Sequence, residues 1–229
     1  MEPTPTVLWL IRHGETAWNA ARRFQGQLDV PLNQQGSTQA RLLAARLGAE
    51  HRARPFAALY TSDLSRAMET AQATAEATGL PLSVRVELRE RHFGVLAGLT
   101  PEEMETKHPE VFSQWRARNP DAELPGGESL RAFNARVMHE LSAIARAHLG
   151  QPVLIISHGG TLDCAYRAAR GLPLESKREH SLHNASINQV SVSHGGELTL
   201  GPWGDIAHLE AASTKEQPLH SGDWKETPG

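Results

Sequence analysis

The chain has one cysteine, Cys164, among 229 residues, so it can close no disulfide within itself. That usage fits a reducing compartment. Aromatic residues make up only 5%, and no apolar run approaches the roughly 18 residues of a membrane-spanning helix. Met1 to Thr6 carries no basic residue and leads into five apolar ones, which does not read as a secretory signal. Charge bias is also missing: 23 basic against 26 acidic residues give a formal net charge of −3. The electrostatic footprint of nucleic-acid binding is therefore absent. Any anion must be held by cations gathered locally. These absences point to a cytoplasmic protein without nucleic-acid or membrane partners. Twelve histidines raise the question of a metal. Neither His-Glu-x-x-His nor Cys-x-x-Cys occurs, and His180 and His183, the closest pair, lie in a stretch without helical periodicity.

What is present is an alternation of apolar runs and amphipathic segments. Val7 to Ile11 is continuously apolar and reads as a strand buried on both faces, as in a parallel sheet. Further strands are expected at Phe56 to Tyr60, Leu82 to Leu88 and Val153 to Ile156, and a final hairpin at Ser186 to Ser193 and Glu197 to Leu200, turning at Gly195-Gly196. Helices are expected over Gln34 to Glu50, from a cap at Ser62 or Asp63 to Thr78, in one or two pieces between Pro101 and Asn119, over Glu128 to His148, and over Thr161 to Arg170. Strands alternating with helices imply an α/β fold with a mostly parallel sheet covered on both faces. No repeat or Pro/Ser-rich linker divides the chain, so residues 1–211 read as one domain, with a polar, poorly ordered tail over 212–229.

Two strands end in the same grammar. The first runs into Arg12-His13-Gly14, the second into Ser157-His158-Gly159-Gly160. In open α/β sheets ligands sit beyond the carboxyl ends of the strands, where strand order reverses. If the two strands are neighbours, both histidines face one crevice, and glycine lets a ligand approach the backbone. Arg66 falls in the first turn of its helix, where a cation is unfavourable unless an anion is nearby. The local pattern is equally compatible with an ion pair to Asp63 or Glu69. Glu90, between two arginines, reads locally as a solvated charge, yet it follows a strand and so falls on the same rim. Two histidines, two arginines and one carboxylate around one anion suit phosphoryl transfer, which depends on positioning and electrostatics. A neutral imidazole can carry the phosphoryl group, and a carboxylic acid can protonate the leaving oxygen. With arginines supplying the positive charge, neither a metal nor an organic cofactor is called for.

Six ordered segments carry a family resemblance: Leu10 to Asn19, Phe24 to Leu32, Thr61 to Ala67, Leu88 to Gly94, Pro125 to Ser129 and Ser157 to Gly160. Together they resemble the histidine phosphatase superfamily, the phosphoglycerate mutase-like family. The resemblance implies a three-layer α/β/α sandwich with a lid insertion at about 100–127. It implies that His13 is the phosphohistidine nucleophile, that Arg12, Arg66 and His158 complete the phosphate pocket, and that Glu90 is the proton donor. Asn19, Gln25, Gly26 and Gly159 would contact the substrate, as would Arg116 and Arg118 from the lid. The partner would be a small phosphorylated metabolite, and a homodimer is common among such relatives.

Within that family the sequence departs from the glycolytic mutases. Phe93 stands where they carry tyrosine, Thr100-Pro101 follows Gly98-Leu99 where they carry a nearby lysine, and Ala117 separates Arg116 from Arg118 where they carry an arginine pair. Those groups hold a bisphosphorylated intermediate for reorientation, and without them water takes the phosphoryl group. The expectation is a phosphatase, with a phosphoglycerate mutase and a non-catalytic phospho-ligand-binding module as alternatives.

Overall fold

The computed structural model describes residues 4–213. In chain order its elements are β1 (Thr6–Arg12), α1 (Ala17–Ala20), α2 (Gln34–Ala53), β2 (Ala58–Thr61), α3 (Ser65–Thr78), β3 (Leu82–Val84), α4 (Pro101–Lys107), α5 (Pro109–Arg116), α6 (Leu130–Ala147), β4 (Pro152–Ser157), α7 (Gly159–Arg170), β5 (Ile187–Val192), β6 (Leu198–Leu200) and α8 (Ala207–Ser213). The tail expected from residue 212 lies, beyond Ser213, outside the described residues.

The six strands form one sheet in the order β3-β2-β4-β1-β5-β6. The first four are parallel, while β5 and β6 close the sheet as the expected antiparallel hairpin. Side chains alternate across the sheet, as a strand's two-residue period requires. Leu8 and Leu10 of β1, with Val153 and Ile155 of β4, pack against Phe133, Val137 and Leu141 of α6 and Leu162 and Ala165 of α7. Ile11, Leu154 and Ile156 point the other way, onto Leu43 and Leu47 of α2 and Ala71 of α3. Both faces are thus covered, giving a three-layer α/β/α sandwich. This explains why β1 and β4 read as continuous apolar runs.

β1 and β4 are neighbours in register, Arg12 opposite Ser157. The chain leaving β1 leads to α2 on one face, and the chain leaving β4 enters α7 on the other. Their carboxyl ends therefore frame a switch-point crevice. His13 and His158, the next residues, stand on its two sides.

Several boundaries differ from expectation. β3 stops at Val84, and Val86–Leu88 is a 3₁₀ turn, because the chain must turn here from the sheet edge toward the crevice. Phe56, expected in β2, is buried just before it, edge-on to Trp9 at 5.0 Å. α3 begins at Ser65 with Leu64 at its cap position, not Ser62 or Asp63. Its first amide is served from elsewhere: Asp29 accepts from Ser65 N–H and Ser65 Oγ, both at 2.7 Å, while Asp63 pairs with Arg89. α7 starts at Gly159, two residues before the expected Thr161, with His158 as its cap residue.

Candidate active site

His13 follows β1, and its N–H donates to Ser157 O at 2.9 Å, continuing the β1–β4 pairing. Its Nδ1 lies 2.7 Å from Gly14 O. A carbonyl only accepts, so Nδ1 carries the proton and Nε2 keeps its lone pair. Burial, followed by the charges of Arg66 and Arg12, holds the imidazole well below its usual pKa, against a smaller opposing pull from the Gly14 carbonyl. His13 is therefore neutral at pH 7. Gly14 is held in turn by Thr70, whose Oγ accepts from Gly14 N–H at 3.1 Å and donates to Arg66 O at 2.7 Å. A side chain at Gly14 would press to 2.6 Å from Gly36 O, so only glycine admits this approach of α2.

The His158 ring lies edge-on to His13, with centroids 5.2 Å apart. It is fully buried and also held well below its usual pKa, first by burial and then by Arg66, His13 and Arg12. Neither ring nitrogen has a hydrogen-bond partner among the described residues. Arg12 donates through Nη1 to Leu182 O. Arg66, 1% exposed, donates to Gly26 O at 2.6 Å and Leu28 O at 3.0 Å, so neither ion pair that its local sequence allowed is formed. Burial pushes its pKa down to about 10, opposed by Glu90 and Asp29, and it remains charged at neutral pH. Its Nε is buried and unpartnered among the described residues. Buried donors without acceptors are costly, and an anionic oxygen entering here would give them one.

Glu90 reaches the crevice on irregular backbone. Ser157 Oγ donates to Leu88 O at 2.8 Å and draws that segment to the end of β4. The carboxylate then lies against the start of α7: Gly160 N–H donates to Oε2 at 3.0 Å and Arg91 N–H to Oε1 at 2.8 Å. A helix N-terminus carries partial positive charge and free N–H groups, a setting suited to anions. The acid, His158 and the Gly159-Gly160 amides thus converge at one helix end.

The remaining expected residues are placed as follows. Asn19 Oδ1 accepts from Thr16 N–H at 3.1 Å and from Asn184 Nδ2 at 3.3 Å, and Asn184 also donates to His13 O at 3.0 Å. Gln25 is buried with Oε1 unpartnered among the described residues. Gly26, at φ +53°, lies under Arg91 O and the Phe93 ring. Gly159 faces the Arg12 guanidinium; a Cβ there would stand 3.6 Å from Nε. In the segment expected to form the lid, Trp115 packs on Phe24 at 4.9 Å and on Phe112, within a small apolar cluster that includes Leu96, Met104 and Leu124. Arg116 is exposed and lies over the Phe112 ring at 5.9 Å. Arg118 turns inward at φ +52°, donating to Leu174 O and approaching Asp163 at 3.4 Å. Thr70, Leu182 and Asn184 are contributors that the motifs did not flag; only Thr70, four residues after Arg66 on the same helical face, had a signal in spacing.

An α/β switch-point pocket with two neutral histidines, two guanidiniums and a carboxylate is equipped to receive a phosphoryl group. A model of the histidine phosphatase superfamily (branch 1) matches residues 8–205, and the chain belongs to that superfamily. It is 39% identical over 203 residues to phosphoglycerate mutase-like protein 4 of Arabidopsis thaliana, covering 88% of this chain and 86% of that one. It is 38% identical over 227 residues to the metal-independent phosphoserine phosphatase of the same plant, covering 98% and 92%. Among solved structures it resembles a mycobacterial glucosyl-3-phosphoglycerate phosphatase at a TM-score of 0.75 and 32% identity, covering 86% of this chain and 98% of that one. The protein is a phosphatase- or mutase-type enzyme of this superfamily.

Proposed function

We propose that the enzyme is a metal-independent phosphomonoesterase that works through a phosphohistidine on His13 and acts on small phosphorylated metabolites. The observation that carries this reading is the tautomer of His13. With Nδ1–H committed to Gly14 O, the Nε2 lone pair is the nucleophile. It attacks phosphorus in line, forming an N–P bond as the ester O–P bond breaks, and Glu90 gives its proton to the departing oxygen. In the second step Glu90 takes a proton from water, the hydroxyl attacks phosphorus, the N–P bond breaks and phosphate leaves. Arg12, Arg66 and His158 hold the equatorial oxygens, where the charge of a loose transition state resides. Two guanidiniums at the pocket supply the positive charge that a metal would otherwise bring.

Hydrolysis is favoured over the mutase alternative by how the variant positions are used. Phe93 packs edge-on to Phe24 at 5.1 Å, and Thr100 caps α4, its Oγ accepting from Glu103 N–H. Phe93 lacks the tyrosine hydroxyl, and Thr100 the lysine ammonium, that a mutase carries in this region. Positive charge does gather beside Glu90, where Arg91 and Arg118 are close enough to oppose one another. The relatives' names point to phosphoserine, phosphoglycerate and glucosyl-phosphoglycerate, all with a carboxylate in the leaving group.

The test is a panel of phosphomonoesters, these included, assayed with chelator present and with His13→Ala as control. Turnover that vanishes with chelator, or persists in His13→Ala, refutes the reading. Interconversion of 3- and 2-phosphoglycerate, primed by 2,3-bisphosphoglycerate and much faster than phosphate release, would establish the mutase instead.

A further inference from the structure

Glu90 lies on backbone that belongs to no strand or helix, between the 3₁₀ turns Val86–Leu88 and Gly94–Leu96. Carbonyls in such a stretch need partners from outside it. One guanidinium serves three carbonyls in and beside it. Arg136, on α6, donates through Nη1 to Glu87 O at 2.6 Å and Arg89 O at 3.0 Å. Its Nη2 reaches Glu90 O at 3.4 Å and both carboxylate oxygens of Glu128, at 2.9 and 3.0 Å. Gln27 adds a second donor: its Nε2 lies 3.1 Å from Glu90 O and 3.4 Å from Glu128 Oε1.

The loop carrying Glu128 is fastened to the same segment. Glu128 N–H donates to His92 O at 2.9 Å, and Arg91 donates twice to Glu128 O, at 3.0 and 2.9 Å. A Cβ at Gly127 would stand 2.5 Å from His92 O, so the glycine permits the contact. Gln27, moreover, sits between Gly26 and Leu28, whose carbonyls hold Arg66. The residue that braces the acid is thus interleaved with those that brace the phosphate-binding arginine.

We propose that Gln27, Glu128 and Arg136 are positioning residues that fix Glu90 relative to the phosphate pocket and so set the efficiency of proton transfer to the leaving group. None of them touches the reacting atoms: Gln27 and Arg136 act through the backbone of the acid, and Glu128 acts by holding those two side chains and the adjoining Arg91 and His92. This rests on the reading of Glu90 as the proton donor. A planar fork suits several converging carbonyls, whereas a lysine ammonium is a single point on a flexible stem.

Leaving-group dependence tests this. p-Nitrophenolate departs with little help from an acid, while an alkoxide needs its proton. kcat/KM is measured for p-nitrophenyl phosphate and for the alkyl phosphomonoester that the wild-type enzyme turns over fastest, in Glu90→Gln, Gln27→Ala and Arg136→Lys. General acid catalysis supplies ~10²–10⁴-fold, and a misplacement of about 1 Å can cost about 10²-fold. Glu90→Gln should lose about 100-fold or more on the alkyl ester. The two positioning variants should lose about tenfold on that ester but less than about threefold on p-nitrophenyl phosphate. Equal losses on both substrates, with Glu90→Gln still discriminating, overturn the proposal alone. Equal losses in Glu90→Gln itself overturn the acid assignment and the proposal with it. Gln27→Ala removes one amide and leaves the guanidinium in place, so the test stands even if Arg136→Lys does not fold.

Discussion

Gly160→Ala separates folding from chemistry in this enzyme. Gly160 is the second residue of α7 and is not among the glycines with positive φ, so its backbone tolerates alanine, which favours helix by up to about 1 kcal/mol. The obstacle is steric. A Cβ would stand 2.1 Å from Glu90 Oε1 and 2.9 Å from the Phe133 ring. Ordinary contact begins at about 3.4 Å, so the carboxylate must retreat by roughly 1 Å, with loss of its bond from Gly160 N–H. For the fold the retreat is cheap, because the clashing oxygen ends a flexible side chain. Allowing for strain on Phe133, the net destabilisation should be about 1–2 kcal/mol, at the low end of overpacking effects. If Glu90 is the proton donor proposed above, the same ångström should misplace it, with an expected loss of about 10²–10³-fold in kcat/KM on alkyl phosphomonoesters. Chemical denaturation and steady-state kinetics on the same preparation read both quantities. A variant with near-wild-type turnover of alkyl esters would show that contact between Glu90 and the start of α7 is unimportant. One that fails to fold would show that the carboxylate cannot yield as argued.

Three further outcomes are expected. Because His13 and His158 are held neutral below the ordinary histidine pKa, the unfolded chain binds up to two more protons than the folded one as pH falls below about 6.5. Stability should then drop by as much as roughly 3 kcal/mol per pH unit, and denaturation midpoints that do not change between pH 7.5 and 5.5 would contradict their burial as neutral rings. Asp163 is tied to Arg167 at 2.9 Å and His180 at 3.1 Å, bonds that outweigh the effect of burial and hold its carboxyl well below the usual range. Asp163→Ala strands the buried Arg167 charge and should cost about 3–5 kcal/mol in urea titration; a loss under 1 kcal/mol would mean that the network is not cooperative. Asp29→Ala removes the remote cap of α3 and should cost about 1 kcal/mol, with the larger signature a weakened affinity for inorganic phosphate as product inhibitor. Unchanged phosphate inhibition would sever the link between that cap and Arg66.

The sheet was legible in the sequence wherever burial was two-sided. β1 and β4 appear as unbroken apolar runs because helices cover both faces, and their register places His13 beside His158 as the repeated strand-end pattern suggested. β3 looks longer in the sequence than it is because Val84, Val86 and Leu88 alternate as a strand does, although Val84 and Val86 are exposed and the chain has already turned. The start of α3 is hidden from local sequence for a non-local reason: Ser62 and Asp63 are good cappers, but Asp29, 36 residues upstream of Ser65, serves the helix's first amide. Arg12, Arg66 and Glu90 can be read from motifs, whereas their partners, Arg136 among them, cannot. Arg66 on Gly26 O and Leu28 O, and Arg136 on the carbonyls of 87, 89 and 90, are bonds to backbone, and backbone leaves no mark in composition. Trp115 and Arg116 were equally opaque, since whether a lid residue faces pocket, packing or solvent depends on where the lid rests.

Surface loops usually accept insertions and deletions with little harm. The stretch from Gly26 to Asp29 should not. Within four residues it offers two carbonyls to Arg66, an amide to Glu90 and a carboxylate to the first turn of α3. Lengthening it by one residue would leave the sheet and both apolar layers intact, while putting those four contacts out of step with one another. Length variation among the descendants of such a gene should therefore collect elsewhere, in the 100–127 insertion, where none of those four contacts is made.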